Sequence, residues 1–274
     1  MKKLSDALKH YAEGDLLPLE AVRIIAKESD LTIAGIEDAA LCSGILPAHY
    51  ARNRNTISIA EQRMLFQSRV AVAGCGGLGG YIIEELARLG VGHLIILDPD
   101  VYEEHNLNRQ LHSDIDALGR LKVTVAAERV QKINPAVTIL PLAEPFTIEN
   151  GARQFAGVHV VADALDNIPV RRALAKVCTV IGIPLVHGSI AGWYGQVTVQ
   201  MPGDTTMETL YRDASEQKGQ ETLLGNPSFT PAVVGSIQAA EICKLILGTG
   251  IPLRSRLLMI DLLYMKFDEV NLTE

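Results

Sequence analysis

The sequence predicts an α/β fold, a Rossmann-like and mainly parallel sheet flanked by helices, and three observations support this. A glycine-rich segment at 73–80 follows an apolar strand and precedes an amphipathic helix. From Arg69 onward, short apolar segments alternate with helical patterns, which is typical of βαβ units. The chain has 274 residues, of which 48% are hydrophobic, enough to bury a large core.

The elements of this sheet can be placed from residue 70 onward. Apolar runs predict strands at 70–73, 94–97, 137–140, 158–162, 184–186 and 196–200. Apolar residues at helical spacing predict helices at 81–89, 122–133 and 169–181. Each of these helices lies between two of the strands, as a parallel sheet requires.

The C-terminal part of the chain departs from this alternation. Residues 203–227 are polar and carry no periodicity, so we predict a functional or disordered loop there. A helix is then predicted from Pro231 to Gly248. The segments 257–260 and 264–267 are predicted to pair as an antiparallel extension of the sheet.

Residues 1–48 are predicted to form a small helical appendage, and residues 49–274 the nucleotide-binding domain. A short helix is predicted over 36–42, after two earlier ones. The appendage either packs against the domain or docks a partner, and the sequence leaves both roles open. Apolar residues recur at helical spacing in two groups, Leu4, Leu8 and Tyr11, then Leu19, Val22 and Ile25.

Composition excludes several classes of protein. The net charge of −7 and the pI near 5.5 argue against a broad nucleic-acid surface. No run of about 18 apolar residues predicts a membrane span, and the first residues lack the apolar core of a signal peptide. The 4 cysteines lie far apart without a Cys-x-x-Cys pair, so neither a zinc site nor a disulfide framework is indicated. We therefore expect a soluble, cytoplasmic protein.

The glycine segment predicts a bound nucleotide. Gly74 permits a tight turn, Gly76 and Gly77 let a phosphate approach the backbone, and Gly79 allows the helix to lie close to the strand. The helix N-terminus then offers free N–H groups and a partial positive charge to an anion. These residues do not identify the nucleotide.

Polar residues after the second strand are suited to ribose and phosphate. Asp100 either accepts hydrogen bonds from ribose hydroxyls or belongs to a simple Asp-Pro-Asp turn. Arg109 is a planar donor for phosphate oxygens, and Asn106 is suited to a phosphate or a metal-bound water. Lys122 lies in the first turn of a predicted helix, where the helix dipole disfavours a cation. It therefore indicates an anionic ligand, and the alternative is a solvated surface lysine.

Another candidate follows the fourth strand. Asp166 lies at the carboxyl end of a parallel strand, where open α/β sheets bind ligands. A carboxylate that faces polyphosphate needs a divalent cation between them, and Mg²⁺ is the simplest choice. Either Asp166 or Asn167 is also suited to cap the following helix.

Taken together, these motifs resemble the MoeB/ThiF/HesA family, relatives of the ubiquitin-activating enzymes, over roughly residues 48–270. The matching segments are Tyr50-Ala51-Arg52-Asn53, Gly74-x-Gly76-Gly77-x-Gly79, Asp98-x-Asp100, Asn106-Leu107-Asn108-Arg109-Gln110, Gly119-x-x-Lys122-Val123, Asn134-Pro135, Asp163-x-x-Asp166-Asn167-x-x-x-Arg171, the segment 195–199 and the segment 231–241.

The resemblance implies that ATP lies along the glycine loop, with its ribose on Asp100 and Mg²⁺ on Asp166. Arg109, Lys122 and Asp166 would carry the catalytic roles, together with Arg52, which would enter the neighbouring subunit's site in a homodimer. The residues implied to bind the nucleotide are Gly74, Gly76, Gly77, Gly79, Asp100, Asn106, Arg109, Gln110, Lys122 and Asn167.

The family reaction adenylates the C-terminal Gly-Gly carboxylate of a small ubiquitin-like sulfur carrier, in molybdopterin, thiamine or related sulfur-transfer biosynthesis. Two departures from the family pattern matter. The Cys-x-x-Cys pairs that bind zinc in many members are missing, so no zinc is expected. The crossover loop, residues 203–227, has no cysteine, so Cys42, Cys75, Cys178 and Cys243 are interpreted as structural.

Three alternatives stay open at this point. The first keeps adenylation but acts on a tRNA base or a peptide carboxylate, and the acidic pI argues against tRNA. The second is an NAD-dependent oxidoreductase, which explains the glycine loop and Asp100. It gives no role to Arg109, Lys122, Asp166 and Arg52. The third is a non-catalytic nucleotide-sensing scaffold.

Overall fold

The computed structural model describes residues 2–212 and 221–272. Its strands are β1 (Leu16–Leu17), β2 (Leu46–Pro47), β3 (Arg69–Ala73), β4 (His93–Leu97), β5 (Thr138–Leu142), β6 (Val160–Asp163), β7 (Leu185–Ala191), β8 (Tyr194–Gln200), β9 (Arg256–Asp261) and β10 (Lys266–Asn271). Its helices are α1 (Lys2–Tyr11), α2 (Leu19–Ser29), α3 (Ile33–Cys42), α4 (Ile59–Gln67), α5 (Gly77–Leu89), α6 (Lys122–Ile133), α7 (Ile148–Gln154), α8 (Ile168–Ile181), α9 (Thr206–Leu210), α10 (Glu221–Leu224) and α11 (Phe229–Leu247).

An eight-stranded sheet forms the centre, in the order β10-β9-β8-β7-β6-β3-β4-β5. The strands from β5 to β7 pair in parallel, and β8, β9 and β10 add antiparallel pairs. Residues 70–73 and 160–163 are buried on both faces, as parallel strands covered by helices must be. The predicted fold class is confirmed.

Two apolar cores cover the two faces of the sheet. One contains Ile82 and Leu86 of α5, Val130 of α6 and Val234 of α11. The other contains Phe155, with residues of α8 such as Leu174 and Val177. The carboxyl ends of β3, β4 and β6 therefore open between two helical layers.

Helix α5 begins at Gly77, four residues before the predicted start near Tyr81. Its glycines weaken helix propensity, which hides the start from sequence patterns. Close packing requires them: a Cβ on Gly79 would lie 1.9 Å from the Gly74 carbonyl oxygen.

Strand β7 is longer than predicted, because it continues to Ala191 and forms a hairpin with β8. The added residues, His187 to Ala191, include polar and small side chains that break the apolar pattern. Strand β10 starts at Lys266 rather than Tyr264, since the Asp261 carboxylate accepts hydrogen bonds from the backbone of the intervening turn.

Two described parts of the crossover loop are helical, which was not predicted. It contains α9 and α10, and Met207 and Tyr211 are buried against the core that α8 also lines. The prediction of an irregular segment is therefore wrong for residues 206–210 and 221–224. Residues 213–220 of the loop lie outside the described part of the chain.

Helix α11 begins two residues before Pro231 and runs for 19 residues. By length and composition it is apolar enough to cross a membrane. In the fold it packs against α5, β7 and β8, and it buries the polar side chains of Gln238 and Glu241. Its apolar character is accounted for by this central position.

The predicted helical appendage is present as α1, α2 and α3, which share a core that includes Leu8, Val22 and Ile36. A second apolar cluster joins this unit to the sheet domain. It contains Leu41, Leu46, Tyr50, Phe66 and Ala136, so it extends across residue 48. The division of the chain at that residue stays a prediction.

Candidate nucleotide-binding site

A cavity of about 570 Å³ lies at the carboxyl ends of β3, β4 and β6, a size suited to a cofactor. This is the position where open α/β sheets bind ligands. Of the predicted site residues, its lining includes Gly74, Gly76, Gly77, Asp100, Arg109, Gln110, Lys122, Asp166 and Asn167.

The glycine turn is shaped by close backbone contacts. Gly74 has a φ of 99°, and a Cβ there would lie 2.6 Å from the Ala164 carbonyl oxygen. The Asp98 carboxylate holds the same turn, because it accepts hydrogen bonds from the Cys75 N–H at 2.7 Å and the Asp100 N–H at 2.8 Å. Burial raises the pKa of Asp98. Sequence analysis placed Asp98 in a motif but did not predict this structural role.

Lys122 is buried at the start of α6, so it is not a solvated surface lysine. Its Nζ lies 3.0 Å from Oδ2 of Asp100, whose side chain remains 63% exposed. Asp100 therefore keeps an accessible carboxylate at the cavity, and Lys122 brings a cation to a helix N-terminus. A nucleotide needs both kinds of group, an acceptor for ribose and a cation for phosphate.

Arg109 and Asp166 both line the cavity. The Arg109 guanidinium donates to the His105 carbonyl and to Oδ1 of Asn108, each at 2.9 Å. Burial lowers the pKa of Arg109, and the negative charge of Asp166 opposes this shift. An anion placed between the glycine turn and Arg109 would reduce the cost of burying this cation.

Two further predicted residues have structural partners. Asn167 caps α8, with Oδ1 accepting from the Val170 N–H at 3.1 Å, so this cap leaves the Asp166 carboxylate to the cavity. Asn106 is buried, and its Oδ1 accepts from the Glu103 N–H at 2.9 Å. Asn106 does not line the cavity, so its contact with phosphate stays a prediction.

Gln110 and Gly79 complete the predicted set. Gln110 is buried beside Gly76, and its Oε1 has no hydrogen-bond partner among residues 2–212 and 221–272. An orphaned buried oxygen in a cavity wall is expected to meet a ligand or water. Gly79 lies behind the turn, where it allows α5 to approach β3.

Arg52 is exposed and does not line the cavity of its own chain. It follows the turn at Ala48–Tyr50, and the Tyr50 hydroxyl accepts a hydrogen bond from Asn134 at 2.8 Å. The segment before Arg52 is thus fixed, whereas its predicted role in a partner's site stays a prediction.

Sequence reasoning missed a buried polar network behind the Asp166 loop. His187 lies between the Asp163 carboxylate, 2.7 Å from its Nδ1, and the Tyr211 hydroxyl, 3.0 Å from its Nε2. Arg171 donates to the same hydroxyl at 3.1 Å. Burial lowers the pKa of His187, which the Asp163 carboxylate partly offsets. The only signal in the sequence was a histidine after an apolar strand.

The cysteines differ in environment. Burial raises the pKa of the Cys178 thiol to about 12, that of Cys243 to about 11, and that of Cys75 well above its usual value. Cys42 is exposed on α3. The first three are therefore protonated thiols at neutral pH, which are poor nucleophiles.

The residues that line the cavity are of the kinds that ATP and a magnesium ion would require. The glycine turn leaves room for phosphates along the backbone, and Arg109 and Lys122 supply the positive charge. In the described part of the chain, no three His, Cys, Asp or Glu side chains are grouped to hold a metal. Mg²⁺ is often bound by one or two carboxylates plus substrate phosphates, and Asp166 is suited to that arrangement.

The profile of the ThiF family matches residues 50–274. The chain is 40% identical over 211 residues to the SAMP-activating enzyme E1 of Haloferax volcanii, covering 76% of this chain and 78% of that protein. It is 36% identical over 216 residues to the molybdopterin-synthase adenylyltransferase of Salmonella typhimurium, with 77% and 86% covered. The sulfur carrier protein adenylyltransferase of Thermus thermophilus is 33% identical over 223 residues, with 77% and 80% covered.

Solved structures agree on the fold. E. coli MccB with ATP superposes with a TM-score of 0.69 at 21% identity, covering 82% of this chain and 72% of that one. The glycine turn, the clustered cations and these matches lead to one assignment: the chain belongs to the ThiF family.

Proposed function

We propose that this protein is an ATP-dependent adenylyltransferase that activates the C-terminal carboxylate of a small ubiquitin-like sulfur-carrier protein. The observation that carries the proposal is the cavity in which Arg109, Lys122 and Asp166 surround a glycine turn. The three curated relatives named above support it, since each is named as an adenylyltransferase or an activating enzyme. An oxidoreductase would leave these charged residues without a role.

The chemistry follows from the charges. A carboxylate oxygen of the carrier bonds to the α-phosphorus, the bond from that phosphorus to the bridging oxygen breaks, and pyrophosphate leaves with the electron pair. The carboxylate is already ionised, so no general base is needed. Because both reactants are anions, Arg109 and Lys122 lower the barrier by offsetting their repulsion and the developing charge.

Other residues position the nucleotide. The backbone N–H groups at the start of α5 face the phosphates, and the exposed Asp100 carboxylate accepts from ribose hydroxyls. Asp166 would hold Mg²⁺, which when bound neutralises phosphate charge. A homodimer in which Arg52 enters the neighbouring site, and a cytoplasmic location, belong to the same proposal.

Pyrophosphate exchange tests the function. The purified protein is incubated with ATP, Mg²⁺, labelled pyrophosphate and a sulfur carrier ending in Gly-Gly. We expect label to enter ATP only with the intact carrier, and a carrier shortened by its last two residues is the matched control. Exchange that needs no carrier, or binding of NAD without binding of ATP, would contradict the proposal.

A further inference from the structure

Side chains from four parts of the chain close a hydrogen-bonded ring behind one wall of the cavity. The Leu165 N–H donates to Oδ1 of Asp163 at 3.0 Å, and the Leu165 carbonyl accepts from Nε of Arg171 at 2.9 Å. Arg171 also donates to the Tyr211 hydroxyl at 3.1 Å. The ring closes through His187, 3.0 Å from that hydroxyl and 2.7 Å from Oδ2 of Asp163.

The ring lies in the protein interior. Asp163 and His187 are 0% exposed, Arg171 is 5% and Tyr211 is 8%. Polar groups at such depth are stable only when their donors and acceptors are paired. These buried hydrogen bonds therefore restrict the movement of the residues that they join.

We assign the protons of the ring from the contacts of His187 with Asp163 and Tyr211. His187 is neutral, with Nδ1–H donating to the Asp163 carboxylate and Nε2 accepting from the Tyr211 O–H. The Tyr211 oxygen accepts from Arg171. The charges of Asp163 and Arg171 balance, so the ring carries no net charge in the interior.

The ring fixes the loop that carries Asp166. Both backbone polar groups of Leu165, the residue before Asp166, are bound by the ring. Tyr211 follows α9, so the same ring ties this loop to the crossover loop. Neither His187 nor Tyr211 lines the nucleotide cavity, so each acts through the residues it holds.

We propose that His187 and Tyr211 are positioning residues that hold Asp166 in the geometry required to bind Mg²⁺ with ATP. This inference rests on the proposed function, because it assumes that Asp166 meets the metal. Opening the ring frees the Leu165–Asp166 backbone and weakens the metal contact, while the glycine turn and Arg109 remain in place.

The test compares two tyrosine variants. Tyr211→Phe removes the hydroxyl of the ring. Tyr102→Phe is the matched control, since the buried Tyr102 hydroxyl has no hydrogen-bond partner in the described residues. ATP affinity is measured by calorimetry over a series of Mg²⁺ concentrations. We expect the half-saturating Mg²⁺ concentration to rise roughly five- to tenfold in Tyr211→Phe, because two buried groups lose a partner. ATP binding without Mg²⁺ and the control should stay unchanged.

A second variant tests the ring as a unit. His187→Asn retains an amide donor for Asp163 but does not reach Tyr211. The Mg²⁺ shift of the double variant His187→Asn/Tyr211→Phe should equal that of either single variant, since each opens the same ring. Should Tyr211→Phe not fold, His187→Asn alone is compared with wild type.

The outcomes separate the two proposals. Wild-type protein that binds no ATP at any Mg²⁺ concentration contradicts the proposed function. Wild-type protein that binds ATP, with equal Mg²⁺ dependence in the ring variants, overturns the inference alone. Additive shifts in the double variant overturn it as well. Nitrogen NMR should find His187 neutral with the proton on Nδ1 at pH 7, and a charged ring would contradict the proton arrangement.

Discussion

At the residue scale, Arg109 brings a positive charge to the cavity, and the Asp166 carboxylate partly compensates this charge. Its hydrogen bonds run to a carbonyl and to an amide oxygen, both neutral acceptors. Lys122, by comparison, is already paired with Asp100. The hydrogen bonds of Arg109 therefore leave its charge available to an incoming anion.

We expect Arg109→Ala to lower pyrophosphate exchange by about 10²- to 10³-fold, the loss typical of removing one preorganised charge-stabilising group. Folding should be retained, since no buried charge loses its partner. Arg153→Ala, on the exposed side of α7, is the control and should exchange normally. Circular dichroism checks the fold, and wild-type rates in Arg109→Ala would remove this residue from the site.

The cysteines allow a second prediction at this scale. Cys42→Ser, Cys178→Ala and Cys243→Ala should each keep full exchange activity, because burial keeps the latter two thiols protonated. Cys178→Ala should lose about 1 kcal/mol of stability from the buried sulfur. Mass spectrometry after incubation with carrier checks for adducts. A covalent adduct that disappears in one variant would show that this cysteine reacts.

At the element scale, Glu84 joins α5 to α6. Its carboxylate accepts from Arg88 at 2.9 Å and from Arg129 at 2.8 Å. Burial raises the pKa of Glu84, but hydrogen bonds from neighbouring cationic side chains lower it by a larger amount. The pKa of Glu84 therefore lies well below the usual range.

Because the folded-state pKa is depressed, Glu84 stabilises the fold above the pKa of the unfolded chain, and this contribution is lost as the pH falls. Glu84→Gln should lower the free energy of unfolding at pH 7 by about 1–3 kcal/mol through the lost charged hydrogen bonds. The difference from wild type should shrink below about pH 4. Urea unfolding of wild type and Glu84→Gln, at pH 7 and below about pH 4, measures the difference in the free energy of unfolding.

Glu128→Gln is the control for that comparison. Glu128 pairs with Arg120 on the surface, where both side chains are more than 40% exposed, and such pairs contribute little. A pH-independent loss in Glu84→Gln would show that the carboxylate charge is not the cause.

Some elements could be predicted from sequence and others could not. Helix α6 has the predicted bounds because a clear apolar stripe ends at Asn134-Pro135. Helix α9 has five residues, too few to show a period, and Met207 is buried only through tertiary packing. The start of α5 was hidden because its glycines serve close packing rather than helix propensity.

The same division holds for the site. That Asp100 and Asp166 line one cavity was predictable, because the carboxyl ends of parallel strands meet at one edge of the sheet. The contact between His187 and Tyr211 was not predictable. It joins β7 to the crossover loop, and no sequence motif or fixed spacing indicates such a contact. Asn106 differs from these residues, because the sequence motif predicted it at the site but its side chain closes a local turn.

At the scale of the whole molecule, Arg52 allows a test of assembly. Arg52→Ala and Asp166→Ala should each be inactive in pyrophosphate exchange. A mixture of the two should recover activity, since a mixed dimer contains one site in which both residues are intact. Mass spectrometry of the intact dimers verifies that subunits exchange.

The control mixes Asp166→Ala with Arg109→Ala, two variants that are each substituted in the cavity itself. In a mixed dimer of these variants, each cavity lacks either Asp166 or Arg109, so neither site is intact. Such mixed dimers should recover no pyrophosphate exchange, although Arg52 is present in both subunits. Absence of recovery in the first mixture, with exchange verified, would place Arg52 outside the partner's site.

The cluster of Leu41, Leu46, Tyr50, Phe66 and Ala136 has a thermodynamic consequence. Its members come from the appendage, from the segment that leads to Arg52 and from the sheet domain. Loss of structure in α1–α3 would uncover apolar surface on the domain itself, a cost that grows with the area exposed. We therefore expect the two parts to melt in a single transition, with residues 1–48 protecting apolar surface that belongs to both.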